Sequence, residues 1–500
     1  MRYIRAAGCD NMACMITRRT AWKLFGAAPA ALRARSMSKP HLLMIMTDQQ
    51  RGDTLGAENP LIETPNLDRI AREGIRFRHA YSSTPTCTPA RAALLTGLSP
   101  WRHGMLGYSR VAQHYPVEMP RVLGGAGYYT CGIGKMHWHP QRTRHGFHQV
   151  LLHESGRVES PEFRSDYRAW FATQAPLLDP DATGIGWNDY RGGEYRLPEH
   201  LHPTRWTGDC ADRFLRDYNR PEPFFLKVSF ARPHSPYDPP ARLLRRYQER
   251  RLPAPAVGSW AGRYEARSSQ RDDLWHGRLP EDEVRLARAA YAGAVTFIDE
   301  QIGRLLETLE RRRLLEETLI VFLSDHGDMT GDHHLWRKSY AYEASARIPL
   351  LARGPGAPRG MVDLTPVEIR DVLPTLAAAA GATAPVPIDG QNLLAVKRPW
   401  IDLEHDVCYS PANHWNALTD GRVKYIYHAQ QGEEQLFDLA ADPNELHDLA
   451  ARPEHEADLR LWRGRLIEHL AERGEAWVRH GRLVPRPQSM LHSPHYPKPH

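Results

Sequence analysis

The stretch Leu319-Ile320-Val321-Phe322-Leu323-Ser324-Asp325-His326-Gly327 joins an unbroken apolar run to a carboxylate and an imidazole. Five apolar residues with no alternating polar positions read as a strand buried on both faces. Two other stretches have the same form. His41-Leu42-Leu43-Met44-Ile45-Met46-Thr47 runs into Asp48-Gln49, and Phe224-Phe225-Leu226-Lys227-Val228-Ser229-Phe230 leads to Arg232-Pro233-His234-Ser235-Pro236-Tyr237. Helical patterns lie between them. Pro65 to Ala71 sets Leu67, Ile70 and Ala71 on one face, and residues 281–313 carry Ile298, Ile302, Leu305, Leu306 and Leu309 at helical spacing. Doubly buried strands alternating with helices predict an α/β fold, a mostly parallel sheet sandwiched by helices. Ligands of such sheets gather beyond the carboxyl ends of the strands. Asp48, His234, Asp325 and His326 all fall at such ends.

Away from these strands the texture changes. Residues 240–280 are rich in Arg, Pro and Ser and read as a long surface excursion. Near 384–391 the run Ala-Pro-Val-Pro-Ile-Asp-Gly-Gln opens a different region. There, Ala417 to Tyr427 reads as a hairpin turning at Asp420-Gly421, and 453–473 reads as a helix. The expected organisation is a leader over 1–40, a catalytic α/β domain over 41–385, a smaller C-terminal α+β subdomain over 386–485 and a Pro/His-rich tail over 486–500.

Charge and cysteines narrow the function classes. The 500 residues include 65 Lys+Arg and 59 Asp+Glu. Residues 1–40 hold eight of the basic and one of the acidic side chains, which leaves 57 against 58 in the body. A balanced body argues against a nucleic-acid partner, and no apolar run is long enough to span a bilayer. Cys9, Cys14, Cys87, Cys131, Cys210 and Cys408 are scattered, without disulfide-framework or zinc-ribbon spacing. In the leader, Arg18-Arg19 precedes a short, weakly apolar stretch. It resembles a twin-arginine export signal and implies a bacterial periplasmic or external protein; without export the protein would be cytoplasmic.

Cys87-Thr88-Pro89-Ala90-Arg91, followed by Leu95-Thr96-Gly97, resembles the signature of the type I sulfatases, formylglycine-dependent members of the alkaline phosphatase superfamily. Other motifs of that family follow in order across 41–450. They are Thr64-Pro65-Asn66-Leu67-Asp68-Arg69, Gly134-Lys135-Met136-His137, Pro233-His234, Arg337-Lys338-Ser339-Tyr340, Arg347-Ile348-Pro349 and Leu436-Phe437-Asp438-Leu439. The resemblance implies an alkaline-phosphatase-like fold and hydrolysis of sulfate monoesters of carbohydrates or aryl compounds. It implies that Cys87 is oxidised to formylglycine by a generating enzyme or maturase, and that the aldehyde hydrate attacks sulfur.

The same resemblance implies roles for other residues. Asp48, Gln49, Cys87, Asp325 and His326 would hold one divalent metal. Calcium is the expected ion, and magnesium, manganese and zinc stay open, because an imidazole ligand favours the transition metals. Arg91 and Lys135 would hold the modified Cys87, and His137 would take a proton from it as sulfate leaves. His234 and Lys338 would contact sulfate and its bridging oxygen, one of them as general acid. Many members of the family have Asp in place of Gln49 and Asn in place of His326. The combination seen here also occurs in a phosphonate monoesterase-like branch, so a phosphonate monoester or phosphodiester hydrolase is the alternative reading. Aromatic and imidazole rings suit sugar or aryl groups, which makes His333, His334, Trp336, His414 and Trp415 the expected substrate contacts.

Overall fold

Five parallel strands form the centre of the molecule, and three of them are the runs picked out above. The computed structural model describes residues 39–155, 163–270, 273–410 and 413–497. The main sheet has eight strands: β1 (His41–Asp48), β2 (Ile75–Phe77), β3 (Tyr129–Gly134), β4 (Gln149–Leu152), β5 (Phe224–Pro233), β6 (Thr318–Ser324), β7 (Leu350–Arg353) and β8 (Met361–Asp363). Their spatial order is β4-β3-β5-β1-β6-β7-β2-β8. Only β7 runs antiparallel to its neighbours.

Side chains alternate across the sheet, and both faces are apolar. In β1, Leu42, Met44 and Met46 face one core while Leu43 and Ile45 face the other. Six helices matter here: α1 (Pro65–Glu73), α2 (Cys87–Thr96), α3 (Pro203–Asp217), α4 (Glu281–Arg311), α5 (Val372–Ala380) and α6 (Glu456–Leu470). Helices α2 and α5 cover the first face. Helices α1, α3 and α4 cover the second, with Ile298, Ile302, Leu305, Leu306 and Leu309 of α4 buried against it. Burial of each such side chain contributes about 1.5–3 kcal/mol, so period-2 strands and period-3.6 helices lock each other in register. This is the α/β sandwich expected from the sequence.

The surface excursion is more ordered than its composition suggests: Ala241–Glu249 is helical and buries Leu243, Leu244 and Tyr247. The Asp420-Gly421 hairpin is part of a four-stranded antiparallel sheet, β9 (Ile401–His405), β10 (Trp415–Thr419), β11 (Val423–His428) and β12 (Glu433–Asp438), with α6 nearby. Gly421 sits at φ 83°, where a side chain would be strained. The Pro/His-rich tail returns to the body: Leu106 N–H donates to Leu491 C=O (3.1 Å) and Ser493 N–H to Gly104 C=O (2.9 Å). The expected leader, including Arg18-Arg19, lies outside the described residues. No helix among those described is long and apolar enough to cross a membrane.

Candidate active site

Four adjacent parallel strands, β3, β5, β1 and β6, each deliver a polar residue at the same edge. Backbone bonds tie these ends together. His234 N–H donates to Asp48 C=O (3.0 Å), Asp325 N–H to Thr47 C=O (3.3 Å) and Lys135 N–H to Ser229 C=O (2.8 Å). Gly134 makes the last contact possible. It has φ 99°, and a Cβ there would lie 2.0 Å from Ser229 O.

Helix α2 brings the fifth component. Its first residue is Cys87, every residue in it is buried, and Gly97 ends it at φ 68°. The Cys87 Sγ lies 3.2 Å from His326 Nε2 and 3.9 Å from Asp48 Oδ1. Ligand atoms of Asp48, Cys87, Asp325 and His326 all lie within 4.8 Å of one another, and all four residues are buried. Two carboxylates, an imidazole and the residue-87 side chain converging in one buried spot fit a divalent ion.

Two cations hold the carboxylates. Arg91, one turn along α2 from Cys87, donates from Nε to Asp325 Oδ2 and from Nη2 to Asp48 Oδ2, both 2.9 Å. Its Nη1 reaches Lys135 C=O at 2.6 Å, and Lys135 Nζ lies 2.6 Å from Asp48 Oδ2. Burial opposes ionisation of Asp48, yet Lys135, His234, Arg91 and His326 outweigh it and hold that carboxyl well below the usual range. Burial and Asp48 push the Cys87 thiol up, but Lys338, Lys135 and His326 prevail and bring it down to about 6. A field that stabilises a thiolate at this spot also stabilises other anions there. Burial would neutralise His326, but Asp325 and Cys87 raise its pKa.

His234 and Lys338 meet: His234 Nε2 lies 2.8 Å from Lys338 Nζ. His234 Nδ1 is 2.9 Å from Ser235 C=O. A carbonyl only accepts, so Nδ1 carries the hydrogen, and in the neutral ring Nε2 accepts from the ammonium. Lys338 also donates to Gln49 Oε1 (2.7 Å). The Gln49 Nε2 donates to Asp328. The Gln49 side chain, expected as a metal ligand, is therefore turned toward Lys338 and Asp328.

Two residues of this region escaped the sequence reading. Glu154 follows β4, another strand end, and accepts backbone N–H from Met136 (2.9 Å) and His137 (3.1 Å). Burial raises its carboxyl in spite of these bonds and the charges of Lys135 and Arg91. It orients the loop that carries His137, whose ring lies 6.0 Å from that of Tyr108. Asp328, three residues past Asp325, accepts from Gln49 and Tyr237. The strand-end rule finds Glu154, and proximity to Asp325 marks Asp328.

The expected substrate contacts do not gather at this cluster. His333 is buried, its ring 4.6 Å from that of Trp260, and its Nδ1 accepts the Gly258 N–H (3.0 Å). His414 is buried between Asp406 (3.7 Å) and Arg486 (3.3 Å). Trp415 is buried, donates to Ser339 C=O (3.1 Å) and so braces the Lys338 loop from behind. All three side chains are buried, His333 in the 331–338 turn, Trp415 in β10 and His414 just before it. His334 and Trp336 line a separate cleft that contains no catalytic candidate. Tyr108 stands beside His137, and Arg337 lies over the Tyr409 ring at 4.5 Å.

Residues 40–382 match the sulfatase family, and 331–472 match the C-terminal region of N-sulphoglucosamine sulphohydrolase. The chain belongs to the sulfatase family. It is therefore a sulfuric ester hydrolase, as the signature at Cys87 implied. It is 37% identical to an arylsulfatase of Clostridium perfringens over 89% of this chain and 97% of that one. It is 32% identical to a choline-sulfatase of Rhizobium meliloti, over 84% of each. Among solved structures, the phosphonate monoester hydrolase of Agrobacterium radiobacter superposes with a TM-score of 0.73 at 24% identity, covering 89% of this chain and 99% of that one. A structure solved with its substrate D-glucosamine-2-N,6-O-disulfate gives 0.71 at 23% identity, covering 87% and 98%.

Proposed function

We propose that this sulfatase hydrolyses sulfate monoesters of carbohydrates, with aryl sulfates as a second substrate class, through residue 87 in its formylglycine form. The observation that carries the reading is the buried convergence of Cys87 with Asp48, Asp325 and His326 under the paired charges of Arg91 and Lys135. A divalent ion held by those four residues, calcium first among the candidates, would polarise the sulfuryl oxygens as a Lewis acid. The chain's own residues do the rest. Arg91 fixes both carboxylates through one planar fork, which keeps them oriented. Lys338 holds the proton destined for the leaving oxygen, and His234, whose Nε2 lies 2.8 Å from Lys338 Nζ, fixes its position. His137 takes a proton from residue 87 when sulfate departs, on a backbone held by Glu154.

Maturation would need a formylglycine-generating partner. The twin-arginine-like leader supports export, with maturation of Cys87 before or during it. The test is a mass measurement of the Cys87 peptide from the native host, combined with a desulfation screen on sulfated sugars and aryl sulfates. Aldehyde or hydrate at residue 87 together with released sulfate supports the reading; an unmodified thiol in fully active protein overturns it.

The imidazole of His326 in the ligand set favours a second reading, activity on phosphonate or phosphate diesters. Rates on a phenyl phosphonate ester above those on the matching aryl sulfate would establish it. A metal titration with calcium, manganese and zinc reads which ion this ligand set prefers, since an imidazole shifts the preference toward the transition metals.

A further inference from the structure

A cleft of about 1000 Å³ holds none of the residues assigned to the reaction. It is enclosed by the first turns of α4, by the loop 251–257, by residues 277–279 and by the turn that carries His334 and Trp336. Its volume is at the upper end for a ligand site.

Its walls carry an excess of one charge. Arg251, Arg278, Arg285 and Arg288 line the cleft from three separate segments, against one carboxylate, Glu281. Arg278 pairs with Glu265 (3.1 Å) and Arg288 with Asp332 (3.2 Å). Arg251 and Arg285 have no acidic partner among the described residues, and both are exposed. Leu252, Leu279 and Val284 supply apolar surface between these charges. The body of the protein is electrically balanced, so the excess is local rather than a general basic surface. Guanidinium groups pair in bidentate fashion with sulfate and carboxylate, and apolar patches suit the faces of sugar rings.

The cleft is mechanically continuous with the catalytic loop. Ala256 N–H donates to Asp332 Oδ1 (3.0 Å), and His333 N–H donates to Ala256 C=O (2.7 Å). The same loop runs through Trp336, in the cleft wall, to Lys338, which meets His234.

The geometry points to a second, non-catalytic binding site for a sulfated saccharide chain, with Arg251 and Arg285 as the anion contacts. This rests on the reading of the enzyme as a carbohydrate sulfatase. The cleft would retain a polyanionic stretch of a chain while a sulfate ester is processed at residue 87. A nucleic acid is disfavoured because residues 41–500 carry 57 basic against 58 acidic side chains.

The experiment uses the full-length protein with Cys87→Ala, which binds without turnover, and the same protein carrying Arg251→Glu and Arg285→Glu as well. Each is titrated calorimetrically with a short dextran sulfate, neutral dextran of equal length and a short duplex DNA at fixed ionic strength. In the Cys87 background, the double charge reversal is also assayed on a small aryl sulfate. The expected result is binding of dextran sulfate alone, weakened at least tenfold by the double reversal, with unchanged turnover of the aryl sulfate. Equal binding of DNA, or affinity for dextran sulfate indifferent to the double reversal, overturns the inference. Dextran sulfate bound through Arg251 and Arg285 by an enzyme that desulfates no carbohydrate would uphold the cleft and sink the catalytic reading. Carbohydrate desulfation with Arg-independent binding would do the reverse.

Discussion

The floor and the rim of the catalytic site are built on different principles. The floor is made of strand ends: Asp48, Lys135, His234 and Asp325 follow four neighbouring parallel strands, and backbone hydrogen bonds hold each to the next. The rim is made of chain that is distant in sequence. Loop 104–110 carries Tyr108 past His137, and its Ser109 N–H reaches Thr88 Oγ1 (3.3 Å), next to Cys87. The tail clasps that loop: His492 Nε2 meets Ser109 Oγ at 2.7 Å, and Tyr496 O–H donates to Arg110 C=O at 2.7 Å. Met490 N–H donates to Asp406 Oδ2 at 2.5 Å. The floor is fixed by the sheet and carries the charges of the reaction. The rim depends on a few contacts and shapes access, so damage to the floor should lower kcat and damage to the rim should raise KM.

Cys87→Ala is the sharpest cut. Removing the proposed nucleophile should lower turnover by about 10⁴-fold or more, with a melting temperature close to that of the parent; steady-state assay and calorimetry check both. Next comes Lys338→Met, expected to lower kcat by about 10²–10³-fold, with the larger loss on alkyl sulfates. A poor leaving group needs the proton most, so equal losses on alkyl and nitrophenyl sulfates would remove Lys338 from the acid role. Arg91→Met leaves two buried carboxylates facing each other and should cost about 3–5 kcal/mol of stability, seen as a lowered urea midpoint alongside lost activity.

The rim should respond more mildly. Gly104 has φ 89°, and a Cβ there would sit 2.2 Å from Tyr496 Cα. Gly104→Ala should therefore displace the tail, costing about 1–3 kcal/mol locally and raising KM several-fold with kcat nearly kept. A pure kcat effect would dissolve the distinction between floor and rim.

The smallest effect concerns pH. Burial raises the Asp406 carboxyl to about 6, against the pull of the Met490 N–H and Arg486. A raised carboxyl stabilises the fold below its unfolded value near ~4 and loses that contribution as pH climbs through the folded value. Asp406→Asn removes this loss. Proteolysis of the tail at pH 5 and pH 7 should then differ between parent and variant. The comparison with the variant isolates Asp406, because burial lowers the pKa of His492 and gives it the opposite slope.

The floor was legible because its elements announce themselves locally. Apolar runs ending in Asp48, His234 and Asp325 needed only periodicity, and Cys87 to Gly97 needed only a motif. Glu154 was missed because β4 is only four residues long, too short to stand out as a strand in the sequence. The expected contact rings that turn out to be buried have a common cause. His333, His414 and Trp415 have the right chemistry for sugar contact, but residue type does not say which face of a turn or strand a ring occupies, and neighbours such as Trp260, Arg486 and Ser339 come from elsewhere in the chain.

By itself the sequence determined the sheet, its helical cover, the candidate nucleophile Cys87 and the strand-end charges, because strand burial and short motifs are local properties. Tertiary structure alone decided that Gln49 turns to Lys338 and Asp328, that Lys338 and His234 share one hydrogen bond, and that the tail closes on loop 104–110. It also decided that four arginines from three segments meet in one cleft. Each of these depends on which distant side chains the packed core brings within a few ångströms of one another.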